Sequence, residues 1–175
     1  SGTRFYYLKG DLVLLQFALT MFAFETLANE EIIKNIIKEK GLNLSSKPFV
    51  PMLPPVMIKN TVQSAIHRVF GEQTYKIKNE DNLNLVASAE HTMAPYHMNE
   101  VLDEEDLPKR YIGYSTAFRQ EAGTHGKDMK GFFRNHQFDK SEMESFTTAE
   151  TGEDEQEMMV GLQEYMMQQL EVPYR

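Results

Sequence analysis

No cysteine occurs in the 175 residues. Disulfides and thiolate metal sites are therefore excluded, and a reducing compartment is compatible. Positive charge is in short supply. Lys and Arg number 18 against 26 Asp and Glu, a formal net charge of −8. A surface of that sign repels a phosphate backbone at long range, which argues against nucleic-acid binding by the bulk surface and leaves room only for a local basic groove. Long apolar runs are missing as well. The most apolar stretch, residues 12–24, is interrupted by Gln16 and Thr20. It is shorter than the roughly 18 residues a membrane span needs and reads as a buried core helix. The opening SGTRFYYLKGD has no apolar centre behind a basic start, so it shows no secretory signal. Of the five histidines, His91 and His97 are the nearest pair. Their separation does not suit two ligands on one helix, and no zinc site is expected.

What is present is an ordinary globular composition, 41% hydrophobic and 25% charged, in a chain long enough to bury a core. Asp11 stands where it can cap a helix over 12–28, apolar on nearly every side and so expected to be covered. EEIIKNIIKEKG repeats Ile at helical spacing, with Gly41 as its stop. KPFVPMLPP favours a short strand ending at Pro54 and Pro55. A helix is expected over 56–72, strands over 74–78 and 83–87, and a helix over 90–99. LDEEDLP is an acidic connection, followed by a strand over 111–118. Residues 122–131 hold three glycines and read as a loop. Strands are expected over 132–138 and 142–147. A last helix starts behind TGEDEQE, whose charge suits a helix N-terminus; Met158, Met159, Leu162, Met166 and Leu170 form its apolar face. The eleven methionines read as core filler. Helices mixed with sequential strands on short connections indicate an α+β fold, an antiparallel sheet with flanking helices.

The richest chemistry lies in TAFRQEAGTHGKDMKGFFRNHQFDKSEMESF, residues 116–146. Two strands flanking a glycine-rich loop form a hairpin, and alternate strand residues share a face. Arg119 and Glu121 then point one way; Arg134, His136 and Phe138 also share a face, with Glu142 able to join them. Guanidinium groups fork onto phosphate oxygens, an aromatic face stacks on a purine, and carboxylates take an ammonium or an exocyclic amine. The set suits an anionic ligand carrying a flat ring. The same residues also suit surface ion pairs worth about 0–1 kcal/mol, with Phe138 in the core, and spacing alone leaves both readings open.

FRQEAG, then the loop, then GFFRNHQFDKSEMESF closely resembles motif 2 of the seryl-tRNA synthetases, F-R-x-E-A-G-x-x-G-(K/R)-D followed by G-(L/I)-x-R-V-H-Q-F-x-K-x-E. KGDLVLLQFAL, LVASAEHTMAPYHMNEVLDEEDLPKRYIGYSTAF and LEVPYR resemble the same family in the same order. The resemblance implies a class II synthetase-like core that activates serine with ATP and transfers it to tRNA(Ser). It implies that Arg119 holds the α-phosphate and the adenylate carboxyl region, Arg134 the outer phosphates, Phe138 the adenine ring and Glu121 the adenine amine. It further implies that Glu142 binds the ammonium and side-chain end of serine and that Ser88 and Glu90, in ASAE, line its pocket. His136 is structural. The family also implies a cytoplasmic homodimer whose motif 1 lies on the first helix and the Pro54–Pro55 strand.

Against the family pattern, residues 29–46 look long, 60–73 lack a glycine-rich segment, and Asn135 replaces Val. By the same resemblance, residues 1–175 form part of a catalytic domain, with motif 3, the ligands for Mg2+ and the N-terminal tRNA-gripping arm outside the chain. Lys127 and Lys130 in the 122–131 loop either touch the tRNA acceptor end or are solvated lysines. A ligase that charges a carrier protein, and a non-catalytic nucleotide-binding paralogue, are the competing functions. A heptad-patterned helical hairpin upstream favours tRNA over a carrier protein. The intact Arg119, Glu121, Arg134, Phe138 and Glu142 speak against the paralogue.

Overall fold

A computed structural model describes residues 4–66, 73–78, 82–121 and 133–175. In chain order the elements are α1 (Asp11–Leu27), α2 (Glu30–Lys40), β1 (Val50–Met52), β2 (Met57–Lys59), α3 (Asn60–Ala65), β3 (Leu83–Leu85), α4 (Glu90–Met93), β4 (Lys109–Phe118), β5 (Gln137–Phe146) and α5 (Gly152–Gln169), with short 3₁₀ turns at Ala94–His97 and Glu104–Asp106. One sheet has the order β1-β4-β5 and a second pairs β2 with β3. The α+β expectation holds. Among the described residues no single helix is long and apolar enough to cross a membrane.

The chain forms two compact units. One comprises residues 16–52, 100–112 and 143–175. Its core joins Leu27, Ile33, Ile36, Ile37, Phe49, Ile112, Met158 and Leu162. The Ile pairs of α2 face α5, and Gly161 permits the approach: a Cβ there would come within 2.7 Å of Ile36 Cγ2. Asn29 caps α2 by accepting from the backbone N–H groups of Glu31 and Ile32, and Gly41 closes it in the left-handed region (φ 66°), as the sequence indicates. Arg110, in β4, is fully buried and pairs with Glu155 of α5. Its guanidinium also donates to the Ser45 and Lys47 carbonyls, and Ser145 donates to Glu155, so every charge taken out of water is matched.

The other unit comprises residues up to 15, 53–99 and 113–142. Here β2 and β3 pair antiparallel, Met57 opposite Leu85 and Lys59 opposite Leu83. The helix expected from residue 56 therefore starts only at Asn60, because the preceding three residues are taken by the strand ladder. The strand expected over 74–78 reduces to a single bridge, Lys76 to Asn84. The helix expected over 90–99 breaks into one α turn and a 3₁₀ turn beginning at Ala94, with Pro95 just inside it. Gly113 lies against Met93, whose Sδ would be 2.2 Å from a Cβ at that position.

Two expectations about α1 need correction. Asp11 is its first helical residue rather than a preceding cap. Nor is the helix covered on most sides: Leu12, Leu14, Leu15, Phe17, Leu19 and Met21 are exposed, and of its residues only Thr26 and Leu27 are buried.

Candidate functional site

The candidate residues all fall in the second unit. Its floor is the turn that leaves β3. Val86 donates its N–H to the Val56 carbonyl and accepts from the Phe118 N–H at 2.8 Å, which pins the turn between two strands. Ala87, Ser88 and Ala89 are consequently buried. Below them runs a buried polar chain. The Ala87 N–H donates to His91 Nδ1 at 3.3 Å, so that nitrogen is an acceptor and the ring proton sits on Nε2. Gln63 Nε2 donates to the same nitrogen at 3.0 Å. Asn84 Nδ2 donates to Gln63 Oε1 at 2.7 Å and to Asn60 Oδ1 at 3.0 Å. His91 is thus tied into the turn that presents Ser88.

Glu142 reaches this turn from β5. Its Oε2 accepts from Ser88 Oγ and from the Glu90 N–H at 3.0 Å. Its Oε1 accepts from Lys140 Nζ at 2.7 Å, and the same ammonium donates to Ser88 Oγ at 3.0 Å. Burial pushes the Glu142 carboxyl up, but bonds from Lys140 and Ser88, the Lys140 charge and the Glu90 N–H outweigh it, and the group ends below the usual carboxylate range. The sequence reading places Ser88, Glu90 and Glu142 in one pocket, and the geometry brings them together, Glu90 through its backbone.

Arg119 lies beside them. Its Nε donates to the Ala87 carbonyl at 3.0 Å, and its guanidinium stands 5.2 Å from the centre of the Phe138 ring, a cation–π arrangement. Its N–H donates to the His136 carbonyl at 3.0 Å. Arg134, half exposed, reaches Glu121 Oε2 at 3.4 Å, and Glu121 is buried. Glu121 has φ 53°, a left-handed conformation costing on the order of 1–3 kcal/mol in a non-glycine residue. The Arg4 guanidinium holds it there by donating to the Glu121 carbonyl at 2.9 Å. The N-terminal segment braces His136 too. The His136 N–H donates to the Arg4 carbonyl at 3.0 Å, and the Phe5 ring lies 5.0 Å from the imidazole.

The route to this cluster differs from the expected one. Arg119 and Glu121 lie past the end of β4, and Arg134 and His136 precede β5, so strand alternation does not place them. The strands expected over 132–138 and 142–147 are one strand, Gln137–Phe146. The loop expected at 122–131, with His125, Lys127 and Lys130, lies outside the described residues, as does His67. Sequence reasoning missed Lys140, although a lysine two places before Glu142 on a strand must share its face. It also missed the bracing by Arg4, Phe5 and Gln63, which is visible in no local pattern. Among the described residues no group of three His, Asp or Glu side chains is placed to hold a metal ion.

Residues 73–175 match the family described as the tRNA synthetase class II core domain (G, H, P, S and T). Over its whole length the chain is 42% identical to a serine–tRNA ligase of Methanosphaera stadtmanae, of which it spans 38%. It superposes in full, with a TM-score of 0.80 and 40% identity, on 36% of a seryl-tRNA synthetase from Pyrococcus horikoshii solved in complex with ATP. A cytoplasmic serine–tRNA ligase from Naegleria fowleri in complex with AMP matches 95% of the chain with a TM-score of 0.75 and 31% identity.

Proposed function

The chain belongs to the class II tRNA synthetase core family, and we propose that it forms the serine-activating part of a serine–tRNA ligase. The observation that carries this reading is the joint presence, in one unit, of the Ser88–Glu142 pair and of Arg119 standing on Phe138. The first is a polar, anionic receptor for a small hydroxylated ammonium. The second pairs a fixed cation with an aromatic surface of the kind a purine stacks on.

In this proposal ATP lies with adenine against Phe138 and its amine toward Glu121, while Arg134 takes the outer phosphates. Serine sits in the Ser88–Glu90–Glu142 pocket. A serine carboxylate oxygen attacks the α-phosphorus in line; the new P–O bond forms as the bond to pyrophosphate breaks. No proton need move. The rate therefore comes from alignment and from the Arg119 charge at the phosphoryl group. A terminal ribose hydroxyl of tRNA(Ser) then attacks the acyl carbon, AMP leaves with the electron pair of the mixed anhydride, and the hydroxyl proton passes to the departing phosphate oxygen and from there to water. Hydrogen bonds to the serine ammonium and hydroxyl discriminate more strongly than apolar contact, because an analogue lacking them strands buried acceptors. Magnesium would supply charge neutralisation on the ATP phosphates; the described residues offer no cluster to hold it, and none of these roles runs through it. The catalytic-domain assignment of residues 1–175, the tRNA partner, the homodimer and a cytoplasmic location belong to the same proposal.

The test is ATP–pyrophosphate exchange in the full-length protein. Arg119→Ala is expected to lower serine-dependent exchange at least 100-fold with an unchanged circular-dichroism spectrum. Near-normal exchange overturns the assignment.

A further inference from the structure

Lys140 has no part in the chemistry above, yet its ammonium touches both Ser88 and Glu142. An ammonium group offers three tetrahedral donors and no acceptor. The Lys140 ammonium directs two of them to Ser88 Oγ at 3.0 Å and Glu142 Oε1 at 2.7 Å. These are the acceptors that an incoming α-ammonium of the same chemistry requires. We propose that Lys140 is an internal stand-in for the substrate ammonium, occupying the amine subsite of the empty pocket and swinging out when serine enters. This rests on the reading that Ser88 and Glu142 receive the amino acid.

Three features of the pocket carry the inference. First, the lysine is not what holds the carboxylate in place. Glu142 Oε2 is fixed by Ser88 Oγ and the Glu90 N–H, and both bonds survive its departure. Second, the lysine can leave. Its side chain is 36% exposed while that of Glu142 is 15% exposed, and its flexible four-carbon stem lets the ammonium return to water without dragging the strand. Third, two ammonium groups on one carboxylate repel each other, so serine and Lys140 compete rather than share. In the empty pocket the lysine keeps a largely buried carboxylate neutralised. Its occupancy then lowers the apparent affinity for serine by the fraction of time the acceptors are free.

The experiment is kinetic and chemical, on the full-length protein. Lys140→Met keeps the stem length and removes the charge. If the lysine holds the acceptors about nine-tenths of the time, the serine KM in pyrophosphate exchange falls about tenfold while the ATP KM stays put. A lysine that merely positions Glu142 gives the opposite sign, a raised serine KM. The second readout needs no variant. Mass-spectrometric mapping of amine acetylation is expected to show Lys140 labelled faster when serine alone is added, because the ammonium is released to solvent. A raised or unchanged KM in Lys140→Met, or serine-independent labelling, overturns the proposal while leaving the serine pocket standing. Ser88→Ala and Glu142→Gln separate the two readings: if neither raises the serine KM, the pocket assignment itself falls and this inference with it.

Discussion

At Glu142 two opposing effects act on one carboxyl group. Burial raises its carboxyl, and Lys140, Ser88 and the Glu90 N–H lower it by more. Because its pKa in the folded protein is below the unfolded value, the ionised group contributes stability that is fully present above the unfolded pKa. That contribution is lost as pH falls through the folded pKa. The serine site should follow the same course: serine affinity is expected to be flat through neutral pH and to drop only in acid, below the ordinary glutamate range. A serine KM measured from pH 4 to 8 checks this, and a break near neutrality would assign control to another group. Glu142→Gln removes the charge and keeps the shape. It is expected to raise the serine KM at least tenfold and the ATP KM less than twofold, whereas equal losses in both would place Glu142 outside the serine pocket.

At the scale of elements, the buried Arg110–Glu155 pair links β4 to α5 within one unit. Removing one partner strands the other charge where water cannot reach it, at a cost of about 3–5 kcal/mol. Glu155→Ala should therefore lower the denaturation midpoint sharply. The double change Arg110→Met with Glu155→Leu should recover part of the loss, since no buried charge is left unpaired and only the neutral Ser45 and Lys47 carbonyls and the Ser145 hydroxyl lose a partner. A single-variant loss below about 1 kcal/mol would show that the two carbonyl partners of Arg110 already suffice. The same arithmetic of satisfied groups applies to the Asn60–Asn84–Gln63–His91 chain under the Ser88 turn. There a polar network, rather than an apolar layer, sets the height of the pocket floor.

For the whole molecule, the exposed apolar surface of α1 is the outstanding feature. Leu12, Leu14, Leu15, Phe17, Leu19 and Met21 are exposed on this one helix. The near-encircling apolar pattern predicts cover on most sides, and the chain by itself does not supply it. A second copy of the chain, as the homodimer proposal requires, would bury these half-exposed side chains, each worth on the order of 1 kcal/mol when its remaining surface is covered. Leu14→Glu combined with Phe17→Glu is expected to convert a dimer into a monomer in sedimentation velocity of the full-length protein. A parent protein that is already monomeric at micromolar concentration would rule out a stable homodimer there.

Wherever the physics is local, the sequence alone determined the outcome. Isoleucine spacing and the left-handed Gly41 delimit α2, acidic residues open α5, and aromatic and hydroxyl residues build β4. The motif from Arg119 to Glu142 declared its residue types and, through its resemblance, a serine-activating family. Tertiary structure alone decided how those side chains meet. Arg119, Glu121, Arg134 and His136 lie outside the strands whose alternation was expected to align them, and non-local bonds from Arg4, Ala87 and the backbone of their own segment hold them instead. Lys140 and Glu155 read as ordinary surface charges until the fold surrounds them with acceptors and an arginine. Periodicity records which face of an element is apolar, but a hydrogen bond between residues a hundred positions apart depends on three-dimensional proximity, which no local pattern encodes.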